Sequence, residues 1–264
     1  MQRRDFLALS LAAPVFGAAK LPSRQVKVET VYKSPGPKPN GLQATPDGLW
    51  ILDQGDNHAY LVRYEDGKVV RDLKTDSIAG SGITFDGEAI WIASTYSREI
   101  IRADAKTGQT LAKFPCPGVG VVDWPNPRRS PLAKEAPAPR PRPSNGPRPQ
   151  KQATGAHGLE WRDGRLWIAV PPARTIYRAN PKDLAIEFQF KTAGDRPHGL
   201  GWQGKYLWCA DSNANCFHKH NPADGSVLEM VQLADTDPLP HGMTIWKSWM
   251  WYCDDVGVVC RFKL

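Results

Sequence analysis

Short apolar runs separated by polar turns recur along this chain, and they recur in phase. A Gly that follows a polar residue stands at Gly41, Gly82, Gly158, Gly199 and Gly242, and each is followed nine positions later by a Trp, at Trp50, Trp91, Trp167, Trp208 and Trp251. Ten to thirteen residues beyond each Trp stands a basic residue, in four copies directly after an apolar one: Arg63, Arg102, Arg178, Lys219 (after His218) and Arg261. Turns such as Glu65-Asp66-Gly67, Lys106-Thr107-Gly108 and Ala223-Asp224-Gly225 lead from there into one more apolar strand. The clearest copy runs from Arg196-Pro197-His198-Gly199-Leu200 through Trp208-Cys209-Ala210-Asp211 to Lys219-His220-Asn221-Pro222. The pattern predicts four short strands per unit at a period near forty residues.

Such a period defines an all-β fold, the β-propeller, with one blade per unit. The fifth copy stops at Arg261-Phe262-Lys263-Leu264, after its third strand, whereas residues 25–32 alternate apolar and polar and belong to no complete copy. The expectation is a five-bladed propeller in which an N-terminal strand completes the last blade, leaving no raw sheet edge there. Residues 20–264 form one domain on this reading.

Two segments fall outside the repeat. Residues 1–19 carry Arg3-Arg4 before Phe6-Leu7, then an apolar run too short to span a bilayer, then small residues. This reads as a cleaved export signal of the twin-arginine type, with an ordinary secretory signal as the alternative. There is no second hydrophobic span, so the expected mature protein is soluble, monomeric, and periplasmic or secreted. The second segment, a Pro/Arg-rich insert at 117–152, lies between the second and third copies. Its run Ala136-Pro137-Ala138-Pro139-Arg140-Pro141-Arg142-Pro143 cannot form ladder strands, because proline lacks the N–H donor and fixes φ. It reads either as a tolerated surface insertion or as a lid over the channel.

Charge removes one class of partner. The chain carries +7. The insert holds seven basic residues against Asp123 and Glu135 for a net of +5, and residues 1–19 contribute +1. Only +1 remains for the propeller body, which excludes a nucleic-acid footprint on it.

The chemistry concentrates in one column. The residues just before the repeat glycines are Asn40, Ser81, His157, His198 and His241, which takes three of the six histidines in the chain. Each starts an innermost strand, so the five side chains should ring the channel mouth. Neutral imidazole is a good ligand for zinc, iron or copper, and three imidazoles leave positions open as catalytic metal sites do. The other reading is structural, with each His bonded to neighbouring backbone. Three residues after the repeat Trp stand Asp53, Asp211 and Asp254, which could hold the second nitrogen of a ligating His or simply cap turns. Tyr96, Arg174 and Arg196 fall in or beside loops of the channel face and are candidates for an acid, a base or an oxyanion partner. His218 and His220 flank Lys219 on a third strand and are expected to be exposed. The five cysteines contain no CxxC motif and are expected to be mostly buried free thiols, although Cys209/Cys216 and Cys253/Cys260 each bracket a hairpin. The column of basic residues recurs in every blade and reads as architectural.

Pro39-Asn40-Gly41-Leu42 with Thr45-Pro46-Asp47-Gly48-Leu49-Trp50 resembles the corresponding segments of the gluconolactonase or senescence marker protein family. That resemblance implies a metal ligand at Asn40. The other ligands of that family are carboxylates at equivalent blade starts, where this chain has His157, His198 and His241. The departure implies a transition metal in place of calcium and puts lactone hydrolysis in doubt. Pro197-His198-Gly199-Leu200 with Tyr206-Leu207-Trp208 resembles the blades of virginiamycin B lyase. Three blade-start histidines on a metal are similar to the zinc site of peptidylglycine amidating lyases. The bacterial glutaminyl cyclases share the blade count but carry different motifs.

Two functions are therefore expected of this chain. The first is an exported lyase or hydrolase, lactonase-like, acting on a small molecule through a divalent transition metal, zinc or iron. The alternative is a non-catalytic binding propeller that holds a protein partner through its channel face and the basic insert. It requires no metal.

Overall fold

The computed structural model describes residues 21–122, 124, 127–135 and 152–264. The export signal expected at 1–19 and the proline-rich run at 136–143 lie outside the described residues.

Two short strands precede the blades, β1 (Ser23–Gln25) and β2 (Glu29–Lys33). Blade one is β3 (Pro39–Thr45), β4 (Gly48–Asp53), β5 (His58–Val62) and β6 (Val69–Lys74), and blade two is β7 (Gly80–Phe85), β8 (Ala89–Ser94), β9 (Glu99–Asp104) and β10 (Thr110–Pro115). A small ribbon, β11 (Gly120–Val121) with β12 (Ala153–Thr154), brackets the insert. Blade three is β13 (Gly158–Arg162), β14 (Arg165–Val170), β15 (Thr175–Ala179) and β16 (Ile186–Lys191). Blade four is β17 (Pro197–Gln203), β18 (Tyr206–Asp211), β19 (Cys216–His220) and β20 (Val227–Gln232), and blade five is β21 (Met243–Trp246), β22 (Trp249–Asp254) and β23 (Val258–Lys263).

The closing strand is β2, which pairs antiparallel with β23 and sets Thr30 opposite Cys260. Residues 25–32 do not form the single strand that their alternation suggests. The chain bends at residues 26–28, and β1 instead adds to the outer edge of blade four, parallel to β20. A three-residue strand is too short to show a period of two, so the pattern could not separate it from its neighbour.

Strand position in a blade dictates composition. The second strands are enclosed on both faces by neighbouring blades, and β4 and β8 are buried at every residue, so they read as continuous apolar runs. The outermost strands face water on one side, and β10 alternates half-buried and exposed residues. The turns between third and fourth strands use Gly67, Gly108 and Gly225 at φ of +70°, +78° and +79°, a region open to glycine at no steric cost. Blade three puts Leu184 there instead, at φ +56°.

The core is five seams, one per blade junction, each holding a repeat Trp. Trp50 packs with Ile83 and Ile92 of the next blade, Trp91 with Leu159 and Ile168, and Trp167 with Leu200 and Leu207. Trp208 packs with Met243 and Tyr252, and Trp251 meets Leu42 and Ile51 of blade one to finish the circle. Truncating one such Trp to Ala would cost about 3–5 kcal/mol. In four blades the basic residue of the repeat lies directly across the strand pair from the Trp and over its ring, at 5.8 Å for Arg102, 5.8 Å for Arg178, 5.6 Å for Lys219 and 5.3 Å for Arg261. Blade one departs: Leu61 faces Trp50, and Arg63, two residues further on, pairs with Asp66 in the turn.

The repeat glycines explain how tightly the circle closes. A Cβ on Gly82 would come within 2.8 Å of His157 O and 3.0 Å of Gly158 Cα, and one on Gly242 within 2.7 Å of Gly41 Cα. Each glycine thus abuts the glycine of the next blade. The axis is sealed by backbone at this level, and the side chains of the preceding column stand above the seal.

His218 and His220 are buried, contrary to their expected exposure. His220 is fully enclosed, with Nδ1 at 3.0 Å from Gly225 O and its ring 5.2 Å from Phe190 of blade three. The third strand is still inside the seam, and apolar cover from the neighbouring blade lies beyond the reach of a within-blade pattern. All five cysteines are free and buried.

Candidate functional site

The column above the glycine seal forms one wall of a cavity of about 680 Å³ at the channel mouth, reached by Asn40, His157, His198 and His241. His157 Nδ1 stands 3.2 Å from His198 Nε2, and the rings of His198 and His241 lie edge to face with centroids 4.8 Å apart. His198 and His241 are each 1% exposed, while His157 keeps an edge open to the cavity. Ser81 lies apart, as the acceptor of a 2.9 Å bond from Gln54 Nε2.

Burial sets the charge of this cluster. Desolvation first, then Arg196 and His241, pushes His157 down to about 3. Desolvation and the neighbouring imidazoles hold His198 well below its ordinary value, and desolvation lowers His241. At neutral pH all three imidazoles are uncharged, with lone pairs to offer. His157 Nε2, His198 Nδ1, His241 Nδ1 and Asn40 Oδ1 are buried and have no hydrogen-bond partner among the described residues. Buried polar atoms normally find partners, so four orphans on one ring call for an explanation. The 3.2 Å contact between His157 and His198 joins their other two nitrogens, Nδ1 and Nε2, and is a hydrogen bond between the rings. Among the described residues, the group of three whose ligand atoms all fall within 4.8 Å of one another is His241, Asp254 and Asp255; His157, His198 and His241 adjoin one another ring to ring but do not bring three nitrogens that close together.

The sequence leaves two roles open for Asp53, Asp211 and Asp254, and the structure gives them the second. Asp53 accepts from the backbone N–H groups of Lys38, Gly55 and Asp56. Asp211 accepts from those of Arg196 and Ala214. Asp254 Oδ2 accepts from Leu239 N at 2.6 Å and from the Ser130 hydroxyl at 2.5 Å. These carboxylates cap the loops of the channel face, and none of them bonds to an imidazole of the column. The carboxylate beside His241 is instead Asp255, with Oδ2 3.9 Å from Nε2 and 4.0 Å from Lys38 Nζ.

Of the three other candidates, Tyr96 and Arg196 line the cavity. Arg174 does not. It sits exposed at the end of a short 3-10 turn, Pro171–Ala173, in the left-handed region at φ +48°. Its position after strand two puts it at the correct end of the blade, but the turn directs it to solvent. Arg196 is held over Trp124 at 4.8 Å, and among the described residues no carboxylate pairs with it. Desolvation lowers its pKa. Val122 and Trp124, in the first part of the insert that the sequence suggests leans over one face, line the cavity, as do Lys38 and Gln54, which the repeat pattern does not mark. Lys38 lies two residues before Asn40, which was the available signal.

Trp124 belongs to the part of the insert that lies across the channel face. Its Nε1 donates to Asp195 O at 3.3 Å, Arg128 pairs with Asp235 at 2.7 Å, and Ser130 reaches Asp254. The strap runs from the edge of blade three over blade four to blade five, and with Val122 and Trp124 it walls the cavity on the solvent side.

This site lies on a propeller whose solved neighbours include enzymes. No protein-family model matches the chain, and no curated protein does. Among solved structures it is similar to the glutaminyl cyclase of Myxococcus xanthus, with a TM-score of 0.67 and 9% identity over 92% of this chain and 97% of that one. It is also similar to virginiamycin B lyase of Staphylococcus aureus in a catalytically inactive form solved with quinupristin. That match has a TM-score of 0.50 and 18% identity, over 88% of this chain and 68% of that one. At these identities the likeness is one of fold, the β-propeller.

Proposed function

We propose that this protein is an enzyme of the lyase or hydrolase type, acting on a small molecule in the cavity between the histidine column and the strap. His157, His198, His241 and Asn40 would hold a divalent transition metal, zinc or iron. The observation that carries this reading is the set of four buried, unpartnered donor atoms on one ring, three of them on imidazoles that burial keeps neutral. When bound, such an ion supplies Lewis acidity to a carbonyl or to water.

The chain's own groups have separable tasks. Arg196 and Lys38 present positive charge to an electron-rich oxygen of the substrate. Tyr96 offers a phenolic hydroxyl from the loop that follows β8 in blade two. Trp124 shields the site from bulk water, which strengthens each of these electrostatic contacts. A cavity of this size suits a molecule of ordinary metabolite dimensions.

Metal analysis of the purified full chain tests the reading. The expected result is about one equivalent of zinc or iron per chain, lost on His198→Ala. Less than about a third of an equivalent, unchanged by that substitution, removes the basis for the metal and with it this assignment.

A further inference from the structure

A second cavity, of about 570 Å³, opens at the opposite end of the blades, between blades three and four. Its walls come from the hairpin turns that join first to second strands and third to fourth strands, so it faces away from the histidines. Trp167 and Trp202 form its aromatic part with rings edge to face at 5.3 Å. Four cations line it, Arg162, Arg165, Arg178 and Lys205, against the two carboxylates Asp163 and Glu187.

Comparison with the other blades shows what this seam lacks. The residue five positions before the repeat Trp is Asp86 in blade two and Gln203 in blade four. Asp86 Oδ2 accepts from Trp91 Nε1 at 2.8 Å and from Arg102 Nε at 3.2 Å, and Gln203 Oε1 accepts from Trp208 Nε1 at 3.0 Å. Blade three puts Arg162 at that place, so an acceptor is replaced by another donor. Arg178 Nε, the counterpart of Arg102 Nε, is buried without a hydrogen bond, and so is Trp202 Nε1. Glu187 Oε2 lies 3.5 Å from Arg178 Nε but gives its short bond to Arg165, at 2.7 Å. Arg162 itself is stacked over Trp202 at 5.0 Å, with Nη1 donating to Gly204 O at 3.0 Å and Nε to the exposed Asp163 carboxylate at 3.3 Å, which leaves Nη2 for a ligand. Trp251 Nε1 is also unpartnered, but its seam is filled by the rings of Tyr64 and Trp246.

We propose that the cavity between blades three and four binds a small organic anion, a carboxylate or phosphate carried on an aromatic ring. Its anionic group occupies the place that the Asp86 carboxylate fills in blade two. Arg162, Arg178 and Lys205 surround that group with donors, and charge-assisted bonds of this kind are the strong ones. Trp167 and Trp202 take the ring. This site is independent of the histidine column.

Calorimetric titration of the full chain with benzoate and with phenyl phosphate tests the proposal and separates the two anionic groups. Saturable one-to-one binding of at least one probe is expected, with inorganic phosphate at least about tenfold weaker because it leaves the indoles uncovered. Arg162→Asp restores the internal carboxylate of blade two and should weaken the probe by at least about tenfold. If that variant does not fold, Lys205→Glu should weaken binding in the same direction without touching the seam. Absence of saturable binding by both probes, or unchanged affinity in the folded variant, overturns the proposal. Inorganic phosphate binding as tightly as phenyl phosphate overturns the role of the two indoles.

Discussion

Glu160 lies in β13 two residues past its repeat glycine, below the glycine seal. It is 6% exposed. Its neighbours are the amide of Gln43, its own successor's backbone N–H at 3.3 Å and the more distant Arg162. Desolvation outweighs all three and raises its carboxyl from 4.5 to about 8. The native protein therefore holds this proton more tightly than the unfolded chain does. The resulting stability is complete below pH 4.5, is lost progressively as pH rises toward 8, and is flat beyond. At 1.36 kcal/mol for each tenfold in proton affinity the span corresponds to at most about 5 kcal/mol, and water entry would reduce it toward about 3. Glu160→Gln keeps the shape of the protonated side chain and removes the titration. Urea unfolding of both proteins at about pH 5 and about pH 9 isolates the effect, because the buried imidazoles titrate in both and cancel in the difference. The wild type should lose about 3–4 kcal/mol relative to the variant between the two conditions. A change of less than about 1 kcal/mol in that difference would show that Glu160 is ionised in the native protein, and the account of its proton being held by desolvation would fail.

Two further outcomes follow from the geometry. Gly199→Ala would drive a Cβ into Met243, with Cγ at 2.7 Å and the backbone carbon of Gly242 at 2.8 Å, so it should destabilise by at least about 3 kcal/mol in chemical denaturation, and wild-type stability would contradict the sealed axis. Trp124→Ala removes an indole N–H bond and the face beneath Arg196, together about 1–3 kcal/mol of strap docking. Amide exchange in residues 119–122 should accelerate by at least about tenfold, and unchanged protection would mean that the strap is held elsewhere.

How much of this could be read beforehand varied with the range of the interaction involved. The blade count, the closing strand and the common level of His157, His198 and His241 were legible, because Gly and Trp in fixed phase are demanded by contacts that every blade repeats. Phase gives height along the axis. It does not give the path of a loop, which is why Arg174 fell outside the cavity while Lys38 and Asp255 came in. Nor does it give the neighbour across a seam, which is why His220 was expected in water and lies against Phe190. The three capping aspartates show a further limit, since the same residue at the same height serves a backbone turn as readily as an imidazole.

The sheet of blade five joins Thr30 to Cys260, positions 230 apart in the chain. The cavity straddles that weld, with Asn40 on one side and His241 on the other. The pocket is whole only once the polymer has come full circle, so a guest that needs both residues finds them together only in the completed fold. Once in place, a guest gripping both residues would act as a bolt through the joint and lengthen the lifetime of the closed ring.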